Sequence, residues 1–141
     1  MKVLHLVSSP ERRGAQVFAI QLAEALAAEF TPILLAVNDT SQPNPLAVEI
    51  LARRRWDPAG IARLVAKARA ADVVVGHGSS ALIHGTIAAQ ATGRPFLYRN
   101  IGDPAAWNQV RFPDERIGRW LRSADAVVSL YQGASDFLTK T

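Results

Sequence analysis

Short runs of apolar, β-branched residues alternate along this chain with longer alanine-rich segments whose apolar positions recur at helical spacing. That is the sequence form of repeated strand–helix units on a parallel sheet. The pattern predicts strands at Lys2 to Val7, Pro32 to Val37, Asp72 to Gly76, Pro95 to Arg99 and Ala126 to Leu130. Helices are predicted near Ala15 to Glu29, Pro58 to Ala70, Ser80 to Thr92, Pro113 to Ser123 and Gly133 to Lys140. Two of them carry start signals: Asp57 as N-cap before Pro58, and Pro113-Asp114 ahead of Ile117, Trp120 and Leu121. Leu46 to Arg55 fits either period, and a short edge strand near Val48 to Leu51 is the expectation. Asn38 to Pro45 reads as a polar loop within one domain. The fold class is therefore α/β, with a mostly parallel sheet of about six strands.

Composition adds bounds. With 141 residues, 49% of them hydrophobic, the chain can bury roughly two thirds of its unfolded surface as one domain. It has no cysteine, which excludes disulfides and cysteine-ligated zinc or iron–sulfur sites. The net charge of +4 is spread out: residues 1 to 70 hold 9 basic against 6 acidic residues, residues 71 to 141 hold 7 against 6. Its one dense point is Arg53-Arg54-Arg55, followed by Trp56. Thirteen arginines and three lysines beside 24 alanines look as much like codon bias as like a phosphate-binding design, so no nucleic-acid partner is expected. Val73 to Gly93 is free of charge and long enough to cross a bilayer, but its glycines, serines, His77, His84 and Gln90 read as strand, turn and helix. Met1-Lys2 runs straight into the first apolar segment with no signal-peptide pattern, so the expected location is the cytoplasm.

In an open parallel sheet, ligands bind at the carboxyl ends of the strands, so the loops leaving those ends carry the candidate chemistry. Ser8-Ser9-Pro10-Glu11-Arg12-Arg13-Gly14 leads into a helix N-terminus, which attracts anions, and Gly14 would let backbone approach a phosphate. An ordinary surface loop reads the same way. Gly76-His77-Gly78-Ser79-Ser80-Ala81 satisfies GxGxxA after a strand, yet no carboxylate follows where a ribose would need one before Asp103. It is read as a tight turn presenting His77. The third loop, Arg99-Asn100-Ile101-Gly102-Asp103-Pro104-Ala105-Ala106-Trp107, gathers a guanidinium, an amide, a carboxylate and an indole. His5 and His84 read as structural, and Ile117, Trp120 and Leu121 as core-facing, with Arg116, Arg119 and Arg122 solvated. There is no DxD pair for a metal–nucleotide complex, no GxSxG nucleophile elbow and no GxxxxGK[ST] phosphate loop.

The runs Val3-Leu4-His5-Leu6-Val7-Ser8-Ser9, Arg13-Gly14-Ala15-Gln16-Val17-Phe18 and Leu22-Ala23-Glu24-Ala25-Leu26-Ala27 resemble the opening of a family 4-type GT-B glycosyltransferase. Asp72 to Gly78, Gly93 to Pro104 and Arg122 to Ser129 extend that resemblance, in the right order, over nearly the whole chain. It implies that residues 1 to 141 form a Rossmann-like three-layer α/β/α domain, the acceptor-side N-terminal half of a two-domain enzyme. The implied reaction moves a sugar from a nucleoside-diphosphate sugar to an acceptor hydroxyl, with no bound metal and no cofactor beyond that co-substrate. A C-terminal domain absent from this chain would hold most of the donor, and the isolated chain would be inactive. By the same resemblance His77 and Asp103 are catalytic candidates. Ser9, Arg13, Gly14, Gly78, Ser79, Arg99, Asn100 and Gly102 are substrate-binding candidates. The chain departs from the family pattern at Arg13, where a glycine pair is usual, at Gln16, where glutamate is common, and at Val75, the first position of an HxH-like strand end. Two other readings stay open: a stand-alone binding or scaffold module, and peripheral membrane contact through Arg53 to Trp56 with Trp107, Arg111 and Phe112.

Overall fold

The computed structural model describes residues 1–39, 45–102 and 114–140. Within these, six strands form one all-parallel sheet: β1 (Lys2–Val7), β2 (Thr31–Ala36), β3 (Glu49–Ile50), β4 (Val73–His77), β5 (Phe96–Arg99) and β6 (Ala126–Val128). The order across the sheet is β3-β2-β1-β4-β5-β6, so the chain reverses direction of travel between β1 and β4. The described helices are α1 (Gly14–Ala25), α2 (Pro58–Arg69), α3 (Ser79–Thr92), α4 (Asp114–Leu121) and α5 (Gln132–Lys140). This is the expected Rossmann-like α/β architecture.

Alternation along the strands divides the interior in two. Leu4, Leu6, Leu35, Val74, Phe96 and Tyr98 point to one face and pack with Leu64 and Ala68 of α2 and Ala81, Leu82, Ala88 and Ala89 of α3. Each large aliphatic or aromatic side chain buried there contributes about 1.5–3 kcal/mol. Val7 and Ala36 point the other way, against Ala19 of α1. His5 shares that second face, because it alternates with Val3 and Val7.

The start of α2 follows its sequence signal: the Asp57 carboxylate accepts the Ala59 N–H at 2.9 Å, ahead of Pro58 in the first turn. Within Leu46 to Arg55 the expected edge strand is present but shorter, limited to Glu49–Ile50, which pairs in parallel with Leu35 and Ala36. Val73 to Gly93 resolves as β4, turn and α3, and no described helix is long and apolar enough to cross a membrane. Some boundaries differ from expectation. β6 ends at Val128 rather than Leu130 because its neighbour β5 ends at Arg99. Asn100 N–H closes the ladder on the Val128 carbonyl at 2.9 Å, and Leu130 beyond it is exposed. α1 ends at Ala25 rather than Glu29, its last turn giving way to Leu26 as C-cap.

Two aspartates pin strand starts in the same way. Asp72, one residue before β4, accepts the Lys2 N–H at 2.6 Å and donates its own N–H to the Lys2 carbonyl at 2.9 Å. Asp125, one residue before β6, does the same to Phe96, at 2.7 and 2.8 Å. Each clamp fixes the register of its strand against an earlier neighbour. Asp125→Ala should lower stability by about 1 kcal/mol, measured by urea unfolding, and raise hydrogen exchange first at Phe96 and Val128. Unchanged exchange there would show the clamp to be idle.

Candidate functional site

Three strands, β1, β4 and β5, bring polar side chains to the carboxyl edge of the sheet, next to the point where the chain reverses its direction of travel across it. The parallel register sets His5 opposite Val75, so His77, two residues on, shares its face, and Arg99 of β5 pairs with His77. His5 and His77 are 2% and 1% exposed, and this near-complete burial decides their charge. His5 Nδ1 lies 3.1 Å from His77 Nε2, with the rings stacked at 25° and their centroids 5.4 Å apart. Phe18, on the second turn of α1, roofs the pair: its ring is 6.5 Å from that of His77, and the Arg99 guanidinium sits 3.6 Å from its centroid. A cation at that distance over a ring is held by about 0.5–2 kcal/mol.

Burial above all, then the neighbouring His5 and the Arg99 charge, pull His77 down to about 3. Burial also lowers His5. Both imidazoles are therefore neutral near pH 7, and the contact between them holds one proton. No group of three or more His, Cys, Asp or Glu side chains gathers among the described residues.

The pair sits among polar atoms that the described residues leave unsatisfied. His77 Nδ1, Arg99 Nη1, Asn100 Oδ1 and Gln16 Oε1 are all buried without a hydrogen-bond partner. Two of these belong to amides that are already oriented: Gln16 Nε2 donates to Ser8 Oγ at 3.1 Å, and Asn100 Nδ2 donates to the Gly102 carbonyl at 2.9 Å. Each amide thus spends its donor on the protein and keeps its acceptor idle. An unsatisfied buried polar atom costs about 1–3 kcal/mol, so four at one sheet edge mark a place where a polar ligand would restore the balance.

The predicted site residues divide accordingly. His77 and Arg99 pair in register at the ends of β4 and β5, while Asn100, just beyond β5, and Ser9, on the loop after β1, are buried at the same edge of the sheet. His77 is not presented on an open turn as its sequence suggested, because it is still the last residue of β4 and is enclosed by β1, β5 and Phe18. Gly78 makes the turn behind it at φ 85°, a conformation that side chains rarely adopt, and an added Cβ would come 3.0 Å from Ile101 Cδ1. Ser79 opens α3 in an exposed position. Arg13 is the exposed N-cap of α1 and pairs with Glu11 at 2.6 Å. Gly14 opens α1 with free space over it, and Gly102 is exposed apart from the bond its carbonyl receives. Asp103, Trp107, Arg111 and Phe112 lie outside the described residues.

Sequence reasoning missed three members. His5, read as structural, is the direct partner of His77. The available signal was an ionisable residue on the inward-facing side of a strand between Val3 and Val7. Gln16 and Phe18 looked like ordinary helix residues. His84 does behave as expected, with Nε2 2.7 Å from the Arg55 carbonyl, Nδ1 3.1 Å from the Ser80 carbonyl, and its ring stacked on Trp56. The basic segment ending in Trp56 is thereby fastened to α3, a bond from Arg55 to the Ser80 hydroxyl adding to it.

No family model and no curated protein matches the chain. Among solved structures it is similar to Anabaena HepE (Alr3699) crystallised with UDP, at a TM-score of 0.72 and 20% identity. The same protein with UDP-glucose gives 0.76 and 20%, and with UDP and glucose 0.76 and 18%. These matches cover 99% of this chain and 40 to 41% of HepE, so the chain spans about two fifths of that protein's length. The chain shares with that protein a Rossmann-type α/β fold.

Proposed function

We propose that this chain is the acceptor-side half of a GT-B glycosyltransferase that moves a sugar from a nucleoside-diphosphate sugar to an acceptor hydroxyl. The observation that carries the reading is the set of idle buried atoms, His77 Nδ1, Arg99 Nη1, Asn100 Oδ1 and Gln16 Oε1, at the carboxyl edge of the sheet. Three acceptors and one guanidinium suit a ligand with several hydroxyls and an adjacent negative charge. The likeness to a protein seen with UDP-glucose supports the same ligand class.

In this reading the acceptor oxygen attacks the anomeric carbon as the bond from that carbon to the diphosphate breaks, and the hydroxyl proton passes to the departing diphosphate. Neutral His77 accepts the hydrogen bond of the attacking hydroxyl at Nδ1, which a protonated ring could not do. Asn100 and Gln16 orient further hydroxyls, while Ser9 and Gly78 shape the wall around them. Arg99, with the exposed Arg13 guanidinium and the helix N-termini that open α1 at Gly14 and α3 at Ser79, offsets charge on the departing diphosphate. Asp103 and Gly102, on the loop after β5, belong to the acceptor side. A C-terminal domain would hold most of the donor. The enzyme would work in the cytoplasm or at its membrane face.

The test is turnover by the full-length protein. His77→Leu, which removes the acceptor at Nδ1, should lower kcat by about tenfold or more while leaving nucleotide-sugar affinity within a few-fold, because donor contacts reside elsewhere. A full-length protein that neither binds nor consumes any nucleoside-diphosphate sugar overturns the reading.

A further inference from the structure

We propose that His5 is a positioning residue that holds His77 in a single tautomer, the proton on Nε2 and a bare lone pair on Nδ1. The inference rests on the acceptor-side reading above for its purpose, but on geometry alone for its content.

The two rings meet through one nitrogen each, His5 Nδ1 and His77 Nε2, at 3.1 Å. Between two neutral imidazoles such a contact contains one hydrogen, donated by one ring and accepted by the other. If His5 donates, the proton of His77 moves to Nδ1. That atom is buried and has no acceptor among the described residues. A buried N–H with nothing to receive it forfeits its full solvation, whereas a bare lone pair there is the lesser loss. The Arg99 guanidinium tips the choice the same way. It pairs in register with His77, shares Phe18 as a platform with it and brings positive charge to the site, which favours a lone pair over an N–H facing it. Among the described residues the charged or titratable groups acting on His77 are His5 from β1 and Arg99 from β5, while α1 contributes the uncharged Phe18. With His77 Nε2–H donating to His5 Nδ1, His77 presents an acceptor to whatever enters the cluster. His5 does this without touching the ligand.

The arrangement also explains the cost the sequence accepts at this position. Val3 and Val7 flank His5 on the same strand face, where another valine would be the simpler residue. A buried imidazole there is justified by the ring it orients.

The experiment is a long-range ¹⁵N–¹H spectrum of this chain, in which each imidazole nitrogen reports separately whether it bears a proton. At neutral pH the expected result is His77 protonated at Nε2 and bare at Nδ1, His5 bare at Nδ1, and a coupling across the shared hydrogen bond. His77 protonated at Nδ1, or an even mixture of tautomers, overturns the proposal. His5→Phe keeps a ring in place and removes the acceptor, and should shift the His77 tautomer ratio by roughly five- to tenfold. His5→Asn, whose amide oxygen lies near the position of Nδ1, should restore it. If His5→Phe fails to fold, the wild-type spectrum and the asparagine variant still decide. In the full-length protein, His5→Phe should lower kcat and leave the donor KM unchanged, with His5→Asn recovering most of the loss. The two readings separate cleanly. A single Nε2-protonated tautomer in a protein that consumes no nucleotide sugar leaves the pair standing and removes the glycosyltransferase, and sugar turnover with an Nδ1-protonated His77 does the reverse.

Discussion

Phe96→Ala should cost about 3–5 kcal/mol, a large share of the ~5–15 kcal/mol that holds an average domain together. Phe96 is fully buried on β5, between β4 and β6, and its ring fills the space left by two glycines. A Cβ added to Gly85 of α3 would come within 2.3 Å of Phe96 Cε2, and one added to Gly76 of β4 within 3.1 Å. Tyr98 meets it on the third side, ring centroids 6.5 Å apart. With both neighbours reduced to backbone, nothing can collapse into the cavity that the phenyl ring would leave. The converse substitution, Gly85→Leu, adds volume where none exists and should cost about 1–3 kcal/mol or more. Because the two changes act on one contact, the double variant should be more stable than the sum of the single effects, by well over the ~0.5 kcal/mol scatter of independent sites. Urea unfolding monitored by circular dichroism gives the three values, provided the slope with denaturant stays constant. Simple additivity would mean that the helix and strand do not press on each other there.

The contact matters beyond stability because α3 begins immediately after His77 and Gly78. Phe96 sets how closely α3 lies on the sheet, and thus where the end of β4 places the histidine.

Much of this architecture is legible in the sequence because it depends on local periodicity. Five of six strands and all five described helices arise where apolar spacing put them, and β3, with Leu46 and Leu51 on either side, resolves once Leu35 and Ala36 supply a neighbour. Where β6 ends at Val128, the cause lies with its neighbour β5, and spacing carries no information about partners. The site divides the same way. His77, Arg99 and Asn100 occupy strand ends, which a parallel sheet brings to one edge whatever the details. His5 and Phe18 belong to the site only through register and through the angle at which α1 crosses the sheet. A histidine within a strand and a phenylalanine on a helix look like core until the pairing of β1 with β4 sets one ring against the other.

The second large effect is on pH. The folded protein holds His77 at about 3, against an ordinary value of 6.5, so between those limits the unfolded chain binds more protons than the folded one. Stability is accordingly full above pH 6.5 and is lost as pH falls through that window. The slope for one proton is about 1.4 kcal/mol per pH unit, and the whole window amounts to on the order of 5 kcal/mol. His5, lowered in the same direction, steepens the loss. Aspartates and glutamates of ordinary pKa titrate below about 4.5, so the interval from about pH 6.5 to 5 reports histidines almost alone. Over that interval the wild-type chain should lose about 2 kcal/mol or more in urea unfolding. His77→Phe, which keeps a ring against Phe18 and His5 but cannot take a proton, should lose markedly less. Identical slopes in the two proteins would mean that the ring is charged inside the fold, and the lone pair assigned to the acceptor hydroxyl would then not exist. The measurement needs no ligand, yet it bears directly on the chemistry, because the burial that makes His77 a cost at low pH is what leaves it neutral and able to accept a hydrogen bond at pH 7.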